Sequence, residues 1–137
     1  MQIILFLSLC LFSLPIFAET CPSVDEIKKP TLVDWKVVDS EDGKPLSAKR
    51  AARFKANARE FALAEWTDNG RKTNFIHCYY RDSTGSNLEA YLAKKNFLPE
   101  NSKDHWYQVS GAMQCAAGYD KCEFNSLVMN QARMAKK

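Results

Sequence analysis

A chain of 137 residues is long enough to bury a core in one domain, and its formal net charge of +3 is too small for the basic bias of a nucleic-acid binder. With 46% hydrophobic residues, including three Trp, five Tyr and eight Phe, the composition is not that of a disordered protein. Every charged side chain lies beyond residue 18, so the first segment stands apart from the rest.

Residues 3–18 are an uncharged apolar run that contains Cys10, is broken by Pro15 and ends in Ile16-Phe17-Ala18. This predicts a signal peptide over residues 1–18, cleaved after Ala18, although its start carries no Lys or Arg. Glu19 ends the run short of the ~20 apolar residues needed to span a bilayer, which disfavours an uncut anchor. The expected product is a single globular domain over 19–137, periplasmic or else secreted, with no transmembrane segment after signal cleavage.

Next comes a short helix over Val24 to Lys29, capped by Ser23, favoured by Asp25 and Glu26 in its first turn, and stopped by Pro30. Thr31 to Val38 is rich in β-branched and aromatic residues and reads as a strand. Asp39 to Pro45 has the chemistry of a loop. Ser47 to Asn57 is the strongest helix, with Ser47 as its cap.

The stretch that follows fits two periods. Phe54, Ala58, Phe61, Ala62 and Glu65 would continue a helical face as far as Trp66. Yet Asn69-Gly70 just downstream is a hairpin signal, so Glu60 to Thr67 is read as a strand. Thr73 to Arg81 is the clearest strand, and Asp82 to Ser86 a turn. In Asn87 to Ala93, Leu88, Ala90 and Leu92 alternate with Glu89 and Tyr91, the pattern of a half-buried strand.

Phe97 to Asp104 reads as a loop. His105–Val109 and Gly111–Cys115 read as one strand kinked at Gly111, and Cys122 to Val128 as a returning strand. Asn130 to Lys137 is a polar tail expected to fray. The predicted fold is α+β, mainly β: a single antiparallel meander sheet of about four or five strands with one or two short helices, stabilised by disulfides.

Without Cys10, the cysteines are Cys21, Cys78, Cys115 and Cys122. An even set in an exported chain predicts disulfides. Three pairings are open, and sequence does not choose among them. The turn-forming Ala116-Ala117-Gly118-Tyr119 favours Cys115 with Cys122, which would leave Cys21 for Cys78. Zinc is disfavoured, because no Cys-x-x-Cys occurs and His77 would face away from Cys78 on a strand.

His77 and His105 are the only histidines, and neither belongs to a nucleophile, metalloprotease or phosphate-loop motif. His77 alternates with Phe75 and Tyr79 along its strand. No catalytic residue, metal or cofactor is assigned. Lys44, Lys49, Arg50, Arg53, Lys55 and Arg59 make a basic run across the predicted helix. Within it Lys49, Arg50, Arg53 and Arg59 are the candidate partner-binding residues for an acidic partner or an anionic envelope surface, against the plainer reading of a solvated helix face. The adjacent pairs Tyr79-Tyr80 and Trp106-Tyr107 must split between opposite faces of their strands. One member of each pair is therefore available outside the core, which favours contacts with proteins over catalysis.

Cys21-Pro22 followed by Ile27, Trp66 ahead of a hairpin, Ile76-x-Cys78-Tyr79-Tyr80, and Trp106 with Gln114-Cys115 and Cys122 form a pattern across most of the predicted domain. In these features the chain resembles the small periplasmic EirA-like proteins associated with bacterial type IVB (Dot/Icm) secretion systems, and a wider group of small exported proteobacterial proteins. The resemblance implies a non-enzymatic periplasmic accessory protein whose partners are secretion-system subunits in the envelope, with no catalytic residues to carry over. Homo-oligomerisation is compatible with it. The alternative expectation is an exported inhibitor or ligand-binding protein acting on a host or envelope hydrolase.

Overall fold

The computed structural model describes residues 18–30, 32, 34–68, 74–95, 97–99 and 104–126. Residues 1–17 of the predicted signal peptide (1–18), the Asn69-Gly70 turn and the C-terminal tail lie outside them. The first helix, α1 (Val24–Lys28), opens with a capping box: the Ser23 side chain accepts from the Glu26 N–H, and the Glu26 side chain accepts from the Ser23 N–H. In α2 (Ala48–Asn57), the Ser47 hydroxyl accepts from the Arg50 N–H.

Strand β1 (Lys36–Asp39) is shorter than the predicted Thr31–Val38, because Asp34 takes a positive φ of 68° that no strand accommodates. The ambiguous stretch is strand β2 (Glu60–Asp68), and the alternative of one helix from Ser47 to Trp66 is overturned: the helix ends at Asn57 and Ala58 turns into extended backbone. Then follow β3 (Asn74–Arg81) and β4 (Asn87–Lys95), close to their predicted bounds. Between these two, the Asp82 carboxylate accepts from the Thr84 and Ser86 N–H groups and the Thr84 hydroxyl, and so fixes the turn.

The predicted loop at Phe97 to Asp104 holds a short strand, β5 (Phe97–Pro99), which pairs antiparallel with β8 (Phe124–Ser126). The predicted kinked strand is instead a hairpin, β6 (Tyr107–Val109) and β7 (Ala112–Cys115). Its loop is Ser110-Gly111, with φ of 42° and 84°. Positive φ at both central residues is the sign pattern of a type I′ turn, which reverses the chain rather than bending it.

Six strands form one antiparallel sheet in the order β1-β4-β3-β2-β7-β6, and β5-β8 is a separate ribbon. The domain is thus α+β, mainly β. The sheet is one strand larger than the upper expectation, and only β2-β3-β4 is a meander. One face of the sheet meets the core. Ala64, Ile76, Cys78, Tyr80, Ala90, Leu92 and Cys115 point inward, covered by Ile27 of α1, Phe54 and the Ala58 cap of α2, and by Trp106 and Phe124. Burying an aliphatic or aromatic side chain of this size contributes on the order of 1.5–3 kcal/mol. Glu19 exchanges two backbone hydrogen bonds with Phe124, so the start and the end of the described domain are zipped together.

A bulge between Phe61 and Leu63 shifts the β2–β3 register. It breaks the alternation of β2: Phe61 and Ala64 face the core, whereas Leu63 and Glu65 join the outer face. No helix among the described residues is long and apolar enough to cross a membrane.

Candidate functional site

The four predicted disulfide cysteines form two bridges, Cys21–Cys78 and Cys115–Cys122, with Cα–Cα separations of 5.9 and 5.6 Å. All four are fully buried. The first bridge ties the segment before α1 to the centre of the sheet, and the second closes the turn after β7.

The basic run is divided by the fold. The Arg50 guanidinium lies 2.7 Å from the Asp39 carboxylate and 3.4 Å from that of Glu89, locking α2 to the ends of β1 and β4. The backbone N–H of Glu41, and then Arg50, hold the Asp39 carboxyl below its usual pKa. Arg59 donates to the carbonyls of Ala56 and Ala58 at 2.7 and 3.0 Å, closing the C-terminal end of α2. Lys49 and Arg53 project into solvent one turn apart, without an ion pair among the described residues. Two of the four candidate partner-binding residues therefore have structural partners, and two remain as exposed charge.

The other convergence of functional groups lies on the outer face of the sheet. Strand alternation sends Phe75, His77 and Tyr79 of β3 to this face, and the register adds Tyr91 of β4, Glu65 of β2 and Gln114 of β7. The rings form a contiguous row: His77 lies 4.5 Å from Tyr91 and 5.9 Å from Phe75, and Tyr79 lies 5.1 Å from Tyr91, all between centroids. The adjacent aromatic pairs split as expected. Tyr80 is fully buried while Tyr79 is on the outer face, and Trp106 is 9% exposed while Tyr107 is 49% exposed.

Glu65 organises this face. Its carboxylate accepts from Gln114 Nε2 at 2.7 Å and from the Tyr79 hydroxyl at 3.4 Å, and His77 Nδ1 stands 3.9 Å away. Burial depresses the His77 pKa, partly opposed by Glu65. Burial and then the Glu65 charge push the Tyr79 hydroxyl well above its usual range. At neutral pH the row thus presents an uncharged imidazole, a protonated phenol and one carboxylate already satisfied by its neighbours. His105 is apart from this group, exposed in the bend before β6. No cluster of three or more His, Cys, Asp or Glu suited to a metal occurs among the described residues.

Beside the row runs an open groove of about 540 Å³, lined by Tyr107, Gln114, Leu63, Tyr79, Arg81 and Asn87, with Ser40 at its far end. This volume is in the range of small-ligand and peptide sites. Sequence reasoning gave Glu65, Arg81, Asn87 and Gln114 no role on this face. The alternation of His77 with Phe75 and Tyr79, and of Tyr91 with the apolar positions of its strand, signalled this face in the sequence.

Comparison with protein-family models, with curated proteins and with solved structures gives no match.

Proposed function

We propose that the protein is a non-enzymatic, exported interaction protein that engages a protein partner of the bacterial envelope through the outer face of its sheet. The observation that supports this most is the distribution of cover. Both described helices pack on the inner face, and the opposite face carries a row of aromatic rings beside an open groove. Aromatic side chains with a polar edge are the residues that most often anchor protein contacts. The disulfides suit an oxidising compartment such as the periplasm.

The resemblance to EirA-like proteins supports a finer version: an accessory factor of a type IV secretion system, with secretion-system subunits as the partner. The groove favours a second reading, an exported inhibitor or ligand-binding protein. Photo-crosslinking in cells separates them. With a photoreactive residue at Tyr107 on the outer face and, as a control, at Lys49 on α2, the accessory reading expects Tyr107 to capture envelope subunits. Capture from Lys49 alone, or no capture of any envelope protein, refutes docking by the outer face.

A further inference from the structure

The groove has an orientation that limits what can fill it. Its lining residues come in sheet order from β6 (Tyr107), β7 (Gln114), β2 (Leu63), β3 (Tyr79, Arg81) and β4 (Asn87), and end at Ser40 just after β1. The groove therefore crosses five strands and ends beside β4 at the end of β1. At about 4.8 Å between strands it is roughly 24 Å long, which matches about seven residues of extended peptide. A chain lying across strands cannot continue their hydrogen-bond ladder, so side chains must read it.

The charge in the groove is one-sided. Arg81 is half-buried, and its guanidinium makes no hydrogen bond or ion pair with any described residue. Glu60 stands opposite Arg81 in the β2–β3 register and does not form an ion pair with it. Among the described residues no carboxylate lines the groove. Glu65, the nearest acid of the aromatic row, is four residues along from Arg81 by register, about 13 Å. It is also held by Gln114 and Tyr79. A guanidinium drawn partly out of water with no partner among the described residues favours an incoming carboxylate, which it can grip with two parallel hydrogen bonds.

The remaining groups suit a peptide backbone. Asn87 offers an amide with both donor and acceptor. Gln114 spends a donor on Glu65 and keeps its carbonyl oxygen. Tyr79 and Tyr107 supply apolar flats on the β3 and β6 sides. We infer that the groove binds an extended acidic peptide segment of the partner, about seven residues long, with a carboxylate seated on Arg81. This rests on the docking face proposed above and specifies the chemistry that the face selects.

The test pans a phage-displayed random heptapeptide library against the full protein as isolated from expressing cells, followed by affinity measurement with the synthetic consensus peptide. The expected consensus contains Asp or Glu. Arg81→Gln weakens its binding by at least about tenfold, as does replacing the acidic residue by its amide. Asn87→Asp, which puts a carboxylate in register with Arg81, weakens it similarly. Lys49→Glu together with Arg53→Glu, on α2, leaves it unchanged.

A consensus without acidic residues, binding indifferent to Arg81→Gln in a variant with unchanged thermal unfolding, or no enrichment would overturn the inference. Capture of an acidic oligosaccharide on a glycan array, abolished by Arg81→Gln, would also overturn it and give the groove to carbohydrate. Envelope crosslinks from Tyr107 that persist in Arg81→Gln would leave the docking face standing while refuting the acidic-peptide chemistry.

Discussion

The Tyr80 hydroxyl donates a 2.6 Å hydrogen bond to the carbonyl oxygen of Pro22, in the buried layer where Cys21 is bonded to Cys78. The segment before α1 is thus fastened to the sheet twice within two residues. The Tyr80 ring also meets Phe54 and Phe61 edge-on, at 6.1 and 5.9 Å, and so couples this fastening to α2 and β2. Tyr80→Phe keeps the ring contacts and leaves the buried Pro22 carbonyl unsatisfied. Urea unfolding should show a loss of about 1–3 kcal/mol, and a loss below the error of the measurement would mean that water replaces the hydroxyl.

The two disulfides should contribute unequally. Cys21–Cys78 closes a loop of 57 residues and Cys115–Cys122 one of 7. On the chain-entropy account, removing the first by a double Cys→Ser change costs about 4 kcal/mol and removing the second about 2 kcal/mol. Unfolding of the two double variants under matched conditions checks the ranking. Equal losses would argue against a loop-entropy origin.

His77 gives stability a pH dependence with a defined sign. An imidazole in the unfolded chain takes up a proton near its ordinary value of 6.5, whereas burial delays this uptake in the folded protein to lower pH. Below 6.5 the unfolded state binds more protons, so the stabilisation present at neutral pH fades as pH falls from there toward the folded value. The charged or titratable groups facing the ring are Glu65, Tyr79 and Tyr91, and of these only Glu65 eases protonation. The fall in Tm between pH 7 and 5 should shrink in His77→Phe and grow in Glu65→Gln. An identical pH profile in His77→Phe would refute this assignment.

Charge reversal along α2 should sort the basic run into two kinds of residue. Arg50→Glu puts a third carboxylate beside Asp39 and Glu89 and should lower Tm. Lys49→Glu and Arg53→Glu alter exposed side chains and should leave it unchanged. Thermal melts of the three variants decide it. Equal effects would mean that the Arg50 pairs are not maintained in solution.

The β6–β7 turn invites a stabilising change. Ser110 holds a positive φ that Asn tolerates better, so Ser110→Asn should raise stability by roughly 0.5–1 kcal/mol. Gly111→Ala, at φ 84°, should lower it by about 1–2 kcal/mol. Denaturation of the pair checks both signs.

The strands that sequence located best are those whose alternation runs unbroken. Leu88, Ala90 and Leu92 point to the core along β4, and Ile76, Cys78 and Tyr80 do so along β3. In β2 the bulge at Ala62 shifts the alternation by one residue, which is why Phe61 and Ala62 could also be fitted to a helical face. Strand β5 is three residues long and forms through its pairing with β8, about 25 positions later, so no local pattern announces it. The Ser110-Gly111 turn lacks the Asn-Gly signature and looked like a kink.

The outer face was legible along β3, through Phe75, His77 and Tyr79, and at Tyr91 of β4. Glu65, Gln114, Arg81 and Asn87 come together through the register of four strands, and that register depends on long-range pairing. The same reason hid the roles of Arg50 and Arg59. A basic run shows charge, but its partners, Asp39, Glu89 and the carbonyls at the end of α2, are set by the tertiary fold.

The order of the cysteines along the chain has a consequence for how the bridges arise. The first buried cysteine is bonded to the second and the third to the fourth, with no crossing. A chain that emerges from its N-terminus, from a ribosome or through a membrane pore, presents Cys78 to Cys21 before Cys115 exists outside. Provided Cys10 leaves with the predicted signal peptide, an oxidant that joins thiols simply as they appear makes both correct bonds. Maturation should proceed with a dithiol oxidase alone and need no enzyme that reshuffles wrong pairs.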